Sequence, residues 1–315
     1  MHDNTARVIT PVLEHQAARE ALRAQVGKTP LLRLCSLESR AVRVFAKAEW
    51  TNPAGSVKDR AALAMILDGE AWGRLGPGRT LIDASSGNTG IAYALMGRRL
   101  GYDVEIVVPA NISDARRRAL EDHGATLVFT DPQEGMDGAI DEAVRRYLAD
   151  PRTYFYPDQY SNPANWKAHY NGTAPEIWEQ TGGSVTHFVA GLGTTGTFTG
   201  TMRRLRELNP AVRGIAVQPD SPLHALEGLK HLDTARVPSI FDASLVDSRE
   251  TVSTEEAAEM ARFLKREEGL QLGLSGAAAA VAVRRVASRQ KSGVVVTLFP
   301  ESGQRIQDHP LWEDV

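Results

Sequence analysis

The first clear pattern of apolar and polar residues predicts a strand that ends near Trp50. Apolar residues at positions 42, 44, 46 and 48 alternate with more polar ones, which is typical of a half-buried strand. The breaker and turn pairs Asn52-Pro53 and Gly55-Ser56 follow, and from Lys58 onward the residues favour a helix. The pattern therefore predicts a tight loop and a helix that begins at Lys58.

Strand and helix patterns then alternate along the rest of the chain. Apolar strands are predicted at 80–84, 103–109 and 125–129, each followed by a helical segment. Further strands are predicted at 185–190, 212–217 and 293–299, with a helix from about 197 to 208. Such alternation predicts parallel sheets with helices on their faces. The segment 151–163, rich in proline and aromatic residues, is the best boundary between two α/β sheets.

Composition narrows the class of protein. The 315 residues are 42% apolar and 24% charged, with a net charge of -3 and mixed signs along the chain, as in an ordinary globular protein. This balance predicts no nucleic-acid partner and no membrane partner. The sequence has no apolar run of transmembrane length and no signal pattern at its N-terminus, so we expect a cytoplasmic protein.

The histidines and the cysteine indicate neither a metal site nor a nucleophile. Eight histidines are scattered without metal-ligand spacing, so no metal site is predicted. His169 and His187 are interpreted as structural. The single cysteine, Cys35, excludes an intramolecular disulfide, and its place beside a predicted strand favours a small buried apolar residue over a nucleophile.

Lys58 is the candidate with the most chemical consequence. The positive end of a helix disfavours an ammonium group, and burial would disfavour it further, so this lysine can present a neutral, nucleophilic amine. Imine chemistry with an aldehyde needs that form. A solvated lysine in the first turn of a helix is the alternative for this segment taken alone.

Two glycine-rich turns lie between predicted strands and helices. Ser85-Ser86-Gly87-Asn88-Thr89-Gly90 presents backbone N–H groups and hydroxyls at a helix N-terminus, which suits a carboxylate or a phosphate, although a plain strand-to-helix turn has the same composition. Gly191-Leu192-Gly193-Thr194-Thr195-Gly196-Thr197 has more hydroxyls, so a phosphate is its natural occupant. Its match to Gly-x-Gly-x-x-Gly, with Asp220 downstream, leaves a dinucleotide as a remote alternative.

Four segments together resemble the cysteine synthase (O-acetylserine sulfhydrylase) family of pyridoxal-phosphate enzymes. They are residues 52–60, 85–90, 158–165 and 191–197, and their order and spacing agree over about residues 26–303. The resemblance implies two doubly wound α/β domains of fold type II, with the cofactor in the cleft between them. The smaller domain would span 46–156, and the larger would comprise 1–45 and 157–315. It also implies a homodimer.

The resemblance assigns roles to individual residues. Lys58 would bond covalently to the aldehyde of pyridoxal 5'-phosphate (PLP) and act as the catalytic base. The remaining cofactor contacts would come from Asn88, Gly193, Thr194, Thr195, Gly196, Thr197 and Ser275, the last facing the pyridine nitrogen. The substrate carboxylate would be received by Ser85, Ser86, Gly87, Asn88, Thr89 and Gln159.

The implied reaction is a β-replacement, which makes the chain a transferase. An O-activated L-serine, either O-acetylserine or O-phosphoserine, would exchange its β-substituent for sulfide or another sulfur donor, giving L-cysteine or an S-substituted cysteine. A cystathionine β-synthase-like or serine/threonine dehydratase activity is the alternative on the same fold, and a nicotinamide-dependent oxidoreductase is a remote one.

Some positions depart from the common family pattern. Lys28 stands where the family usually has asparagine, Thr195 replaces a glycine, and Gly276-Ala277 replaces Ser-Gly. The threonine and the segment 240–247 make the chain more similar to the B-type isozymes, which accept a wider range of leaving groups and sulfur donors. For a phosphate leaving group, Lys230 or His224 is the candidate cation, and a surface loop with ordinary polar side chains is the alternative for their segment.

Overall fold

The computed structural model describes residues 4–39 and 41–303, with side chains from residue 13 onward. The helices are α1 (Asn4–Gln25), α2 (Lys58–Ala71), α3 (Asn88–Arg99), α4 (Asp114–Asp122), α5 (Gly135–Ala149), α6 (Pro163–Ala168), α7 (Ala174–Gln180), α8 (Gly196–Leu208), α9 (Thr254–Glu268) and α10 (Leu274–Arg289). The strands are β1 (Leu31–Arg33), β2 (Ala41–Ala48), β3 (Thr80–Ala84), β4 (Asp103–Pro109), β5 (Thr126–Thr130), β6 (Tyr154–Phe155), β7 (His187–Gly191), β8 (Arg213–Pro219), β9 (Ser248–Val252) and β10 (Ser292–Phe299).

The chain divides into two α/β units. The smaller unit comprises Met1–Gly27 and Lys58–Asp158, and the larger comprises Lys28–Val57 and Gln159–Val315. Each unit has its own sheet. The prediction of parallel sheets covered by helices is confirmed, and the boundary at residue 158 lies inside the segment 151–163 that the sequence indicated.

The smaller unit is built on a four-stranded parallel sheet of order β5-β4-β3-β6. Ile82 and Ala84 of β3 pack with Val107 of β4 against buried alanines of α5. Because side chains alternate across a strand, the intervening Asp83 belongs to the opposite face. Asp83, an acidic residue, thus lies in a buried strand.

Helix α1 is attached to the smaller unit. The His15 ring contacts Glu70 Oε1 of α2 through Nε2, and Leu100 O, just after α3, through Nδ1, both at 2.9 Å. Arg99 donates to Gln25 Oε1 at 2.9 Å. These contacts are the reason why residues 1–27 group with the smaller unit, whereas the ranges expected from the sequence assigned 1–45 to the larger one.

The larger unit is built on a six-stranded sheet of order β1-β2-β10-β7-β8-β9. All neighbouring pairs are parallel except β1 and β2, which are antiparallel. The buried residues of β10 alternate between two cores, with Val295 in the one that includes α9 and α10 residues, and Val294 and Val296 in the one that includes α7 and α8 residues. Helices therefore cover both faces of this sheet, as predicted.

The expectation for Cys35 is wrong. The residue lies in a short 3₁₀ turn, Cys35–Leu37, that follows β1, and its side chain is exposed. The turn directs Leu34 and Leu37 into the core instead. Along the described part of the chain, no helix is long and apolar enough to cross a membrane.

Candidate active site

Lys58 is the first residue of α2, as predicted, and is half-buried. The loop before it is fixed to the end of β10, because Val57 N donates to Pro300 O at 2.9 Å and Ser56 forms a β-bridge with Glu301. Gly55 turns the chain with a φ of 80°, a conformation that glycine adopts without steric cost. The end of the loop that precedes the lysine is therefore held by backbone contacts with the residues that follow β10.

A buried polar network supports the same loop from β2 onward. The Lys47 ammonium has no exposed surface and pairs with Glu176 Oε2 at 2.8 Å, also donating to Thr29 O at 2.9 Å. The fully buried Glu49 accepts from Thr29 Oγ1 at 2.8 Å and from Asn52 Nδ2 at 2.9 Å. Removing one partner from such a network leaves an uncompensated buried charge, so the network holds the loop in one conformation.

The first glycine-rich turn connects β3 to α3. Ser85 Oγ accepts from Gly90 N at 3.1 Å and from Gly87 N at 3.4 Å. A Cβ at Gly90 would lie 2.6 Å from Ser85 O, so no larger residue fits there. Ser86, Gly87 and Asn88 are half-buried and Thr89 is buried.

Asp83 lies two residues before this turn and is not among the site residues predicted from the sequence. It is 2% exposed, its Oδ1 accepts from Ala84 N at 2.7 Å, and its Oδ2 has no hydrogen-bond partner among the described residues. Burial, assisted by the charge of Asp158, raises the pKa of Asp83 to about 7, and the same burial raises the pKa of the neighbouring Tyr93. The available signal was a carboxylate within the apolar strand Leu-Ile-Asp-Ala.

The second glycine-rich turn connects β7 to α8. A Cβ at Gly193 would lie 2.1 Å from Gly228 O, and one at Gly196 would lie 2.0 Å from Asn165 Oδ1. Thr195 is 2% exposed, and its Oγ1 has no hydrogen-bond partner among the described residues. No side chain caps the N-terminus of α8, so its first N–H groups remain for a bound anion.

Two departures from the family pattern occur at left-handed backbone positions. Lys28 has a φ of 52° and Thr195 a φ of 69°. Glycine and asparagine adopt this region readily, while a β-branched residue does so only under strain. The chain therefore carries backbone strain at its phosphate-type turn, where the family usually has glycine.

The two remaining predicted residues belong to the larger unit. Gln159 is 4% exposed, and its backbone O accepts from Asn165 Nδ2 at 2.7 Å. Ser275 is 5% exposed and is the second residue of α10. The structure thus assigns Lys58 and the 85–90 turn to the smaller unit, and Gln159, the 193–197 turn and Ser275 to the larger one.

The second turn fits a phosphate monoester. A buried hydroxyl without a partner, close backbone packing at two glycines and an uncapped helix of 13 residues all meet at residues 193–197. A phosphate oxygen would supply the missing acceptor for Thr195. Among the described residues, no cluster of His, Cys, Asp and Glu could hold a metal ion.

Comparison with known proteins agrees with this chemistry. Residues 22–301 match the family described as pyridoxal-phosphate dependent enzyme, and the chain belongs to that family. PLP is therefore its cofactor.

Three relatives show which members of the family the chain is similar to. The chain is 46% identical to a cysteine synthase of Aquifex aeolicus, over 95% of this chain and 94% of that protein. It is 41% identical to cysteine synthase B of Escherichia coli, over 90% and 93%. The crystal structure of a cysteine synthase from Entamoeba histolytica superposes with a TM-score of 0.88 at 32% identity, over 93% of this chain and 90% of that one. The resemblance to B-type cysteine synthases is confirmed.

Proposed function

We propose that this chain catalyses a PLP-dependent β-replacement that converts an O-activated L-serine and a sulfur donor to L-cysteine or an S-substituted cysteine. The observation that carries the proposal is the 191–197 turn, whose buried Thr195 hydroxyl has no hydrogen-bond partner among the described residues and could donate to a phosphate oxygen. The similarity to cysteine synthases over most of the chain supports the reaction type.

The cofactor would be held by residues of the two turns. Gly193, Thr194, Thr195, Gly196 and Thr197 would hold its phosphate, Asn88 would contact its ring hydroxyl, and Ser275 would face its pyridine nitrogen. When bound, PLP would supply an electron sink that labilises the α-proton and the β-substituent of the substrate. Ser275 is neutral, so it does not hold the pyridine nitrogen protonated, which favours elimination over side reactions.

The protein's own groups then bind the substrate and move the proton. The 85–90 turn would receive the substrate carboxylate on the backbone and side chains of Ser85, Ser86, Gly87, Asn88 and Thr89, together with Gln159. The Lys58 amine, once displaced by the substrate amine, would take the Cα proton as a general base. Its place at the start of α2 disfavours the charged ammonium, as a base requires.

Lys58 provides the direct test. The protein mixed with PLP should absorb in the visible range, and borohydride should fix the cofactor onto Lys58, as located by peptide mass spectrometry. Lys58→Ala should lose the fixed label and nearly all turnover of O-acetylserine with sulfide. The exposed Lys291 gives the matched control, because Lys291→Ala should keep both. A label on any lysine other than Lys58 would contradict the assignment.

The leaving group depends on the segment that packs on the phosphate turn. Lys230 N donates to Leu192 O at 2.8 Å, and the Lys230 ammonium lies 4.9 Å from the centre of the Tyr160 ring. His224 Nδ1 accepts from Leu226 N, and burial, with His231 nearby, lowers the pKa of His224. A phosphate needs a permanent cation, so Lys230 is the better candidate for binding O-phosphoserine.

Substrate preference tests this choice. Lys230→Ala should lower the kcat/KM ratio of O-phosphoserine to O-acetylserine, whereas His224→Ala should leave it nearly unchanged. An unchanged ratio in both variants would remove the phosphate-binding role from this segment.

The assembly and location follow from the family resemblance. It supports a homodimer in the cytoplasm that takes a small amino-acid substrate and a sulfur donor. Light scattering of the PLP-loaded protein would test the dimer, and subcellular fractionation would test the location.

A further inference from the structure

Three buried polar residues lie along one side of the helical segment 163–180. Asn165, His169 and Thr173 are 2%, 1% and 0% exposed, and their spacing of four residues puts them on the same helix face. A π-helical turn at His169–Thr173 lies between α6 and α7, and such turns are frequent at functional sites. The row packs against the start of α8.

Asn165 contacts both the predicted substrate-binding residue Gln159 and the predicted phosphate-binding turn of the larger unit. Its Nδ2 donates to Gln159 O at 2.7 Å and to Thr194 Oγ1 at 3.2 Å. Its Oδ1 packs so closely on Gly196 that a Cβ there would lie 2.0 Å away. The amide group of Asn165 therefore connects the backbone of Gln159 to the turn at 193–197.

His169 fixes the other side of the same turn. Its Nε2 lies 3.2 Å from Thr197 Oγ1, and its Nδ1 lies 2.9 Å from Thr173 Oγ1. The turn is therefore held at Thr194 and Thr197 by one rigid helical segment. The residue that contacts Thr194, Asn165, also contacts Gln159.

We propose that Asn165 is a positioning residue that couples the phosphate turn to Gln159, so that binding of the cofactor phosphate fixes Gln159 where it receives the substrate carboxylate. This inference rests on the proposed roles of Thr194 and Gln159. Asn165 itself touches neither substrate nor cofactor in this scheme. Its two donated hydrogen bonds carry the coupling. The bond to Gln159 O would be lost if the amide were replaced by an acceptor of the same shape, because a carbonyl oxygen cannot donate.

Asn165→Asp makes that replacement, because a carboxylate keeps the size of the amide but accepts only. We expect the Kd of PLP for the cofactor-free protein to rise about tenfold, and the KM for O-acetylserine to rise by a similar factor, with a smaller change in kcat. Asn165→Ser, which can still donate one bond, gives an intermediate effect and serves if the first variant does not fold.

Asn162 gives a matched control three residues away. It is also buried, and its Oδ1 accepts from Ala164 N at 2.9 Å to cap α6, a task that aspartate performs equally well. Asn162→Asp should therefore change the PLP Kd and the KM by less than about twofold. If Asn162→Asp has the same effect as Asn165→Asp, the effect is general to the segment and the coupling is refuted.

The Gln159→Ala background separates coupling from local damage. Asn165 contacts the backbone O of Gln159, which alanine keeps, so Asn165→Asp should still weaken PLP binding in that background but no longer raise KM. A rise in PLP Kd without a rise in KM in the wild-type background, or an equal KM rise in both backgrounds, would overturn the inference.

Failure of the proposed function would look different. The wild-type protein would then give no cysteine from O-acetylserine and sulfide. The coupling would still be measured, with PLP Kd as one readout and the Kd of L-serine, titrated by the visible band of the bound cofactor, in place of KM.

Discussion

The turn at 85–90 in the smaller unit and the turn at 191–197 in the larger unit both join a parallel strand to a helix with glycines and hydroxyls. They differ in how they use the hydroxyls. Ser85 Oγ already accepts two N–H groups of its own turn, whereas Thr195 Oγ1, in a left-handed residue, is buried and has no partner among the described residues. The Ser85 hydroxyl of the first turn is thus paired within the protein, and the Thr195 hydroxyl of the second turn is open to a ligand.

This difference suits the two ligands that we propose for the turns. A cofactor that stays bound can supply a permanent hydrogen-bond partner, so a turn that holds its phosphate can contain a hydroxyl that the protein itself does not pair. A substrate that enters and leaves with each turnover cannot supply one, so a turn that receives its carboxylate must be stable by itself. The predictions below test this comparison, from the largest expected effect to the smallest.

Asp83→Asn, two residues before the first turn, should produce the largest change. Because burial raises the pKa of Asp83 from 3.8 to about 7, the folded state holds a proton that the unfolded state releases between these values. The free energy of unfolding therefore falls as pH rises through this window, by up to about 4 kcal/mol, and is constant above it. Asparagine removes this dependence.

Urea unfolding of both proteins between pH 4.5 and 8 measures the effect. The variant should gain stability over the wild type as pH rises, while Asp103→Asn, at an exposed position, should track the wild type. Parallel curves for Asp83→Asn and the wild type would show that the carboxyl does not titrate in this window.

Gly193→Ala and Gly87→Ala test the packing of the two turns. A Cβ at Gly193 would lie 2.1 Å from Gly228 O, whereas one at Gly87 would meet nothing within 4 Å. We expect Gly193→Ala to lower the free energy of unfolding by about 2–3 kcal/mol and to prevent PLP binding. Gly87→Ala should lower it by less than about 1 kcal/mol. Thermal unfolding compares them, and equal losses would contradict the distinction.

Thr195→Gly should have opposite effects on stability and on cofactor binding. Glycine relieves the left-handed strain and removes a buried unpaired hydroxyl, so the cofactor-free protein should gain about 1 kcal/mol. The same change removes a donor to the phosphate, so PLP should bind more weakly. Urea unfolding of the cofactor-free proteins measures the first effect, and titration of each protein with PLP measures the second. If the cofactor-free Thr195→Gly variant is less stable than the wild type, position 195 is not strained.

Ser85→Ala should give the smallest change. It leaves Gly87 N and Gly90 N without their acceptor, so we expect a loss of about 1 kcal/mol, independent of PLP. Ser292→Ala, at an exposed position, provides the control. A loss that disappears when PLP is bound would mean that this turn, too, depends on the cofactor.

Much of the fold was predictable because it depends on local patterns. The predicted strands at 80–84 and 103–109 have the observed limits, and α2 begins at Lys58 as the turn residues indicated. The helix α1 and its assignment to the smaller unit were not predicted, because its contacts, such as that of His15 with Glu70, join residues far apart in sequence. The exposure of Cys35 depends on a short turn that periodicity does not detect.

The candidate site rests on local patterns in the same way. The two turns carry glycines and hydroxyls in continuous segments, so the sequence alone indicated anion binding, and that assignment stays a prediction. The sequence did not indicate Asp83 or Asn165, because their burial and their partners are defined only by the folded chain. The left-handed conformation of Thr195 also became evident only from the backbone.

The strained, unpaired Thr195 has a consequence for the life of the protein in the cell. A ligand at 100 times its Kd adds about 2.7 kcal/mol to the stability of a folded protein, and here it would also satisfy a hydroxyl that otherwise weakens the fold. Newly made chains would thus depend on vitamin supply for part of their resistance to proteases. We expect the abundance of this enzyme to fall when pyridoxal is scarce, even if its synthesis is unchanged.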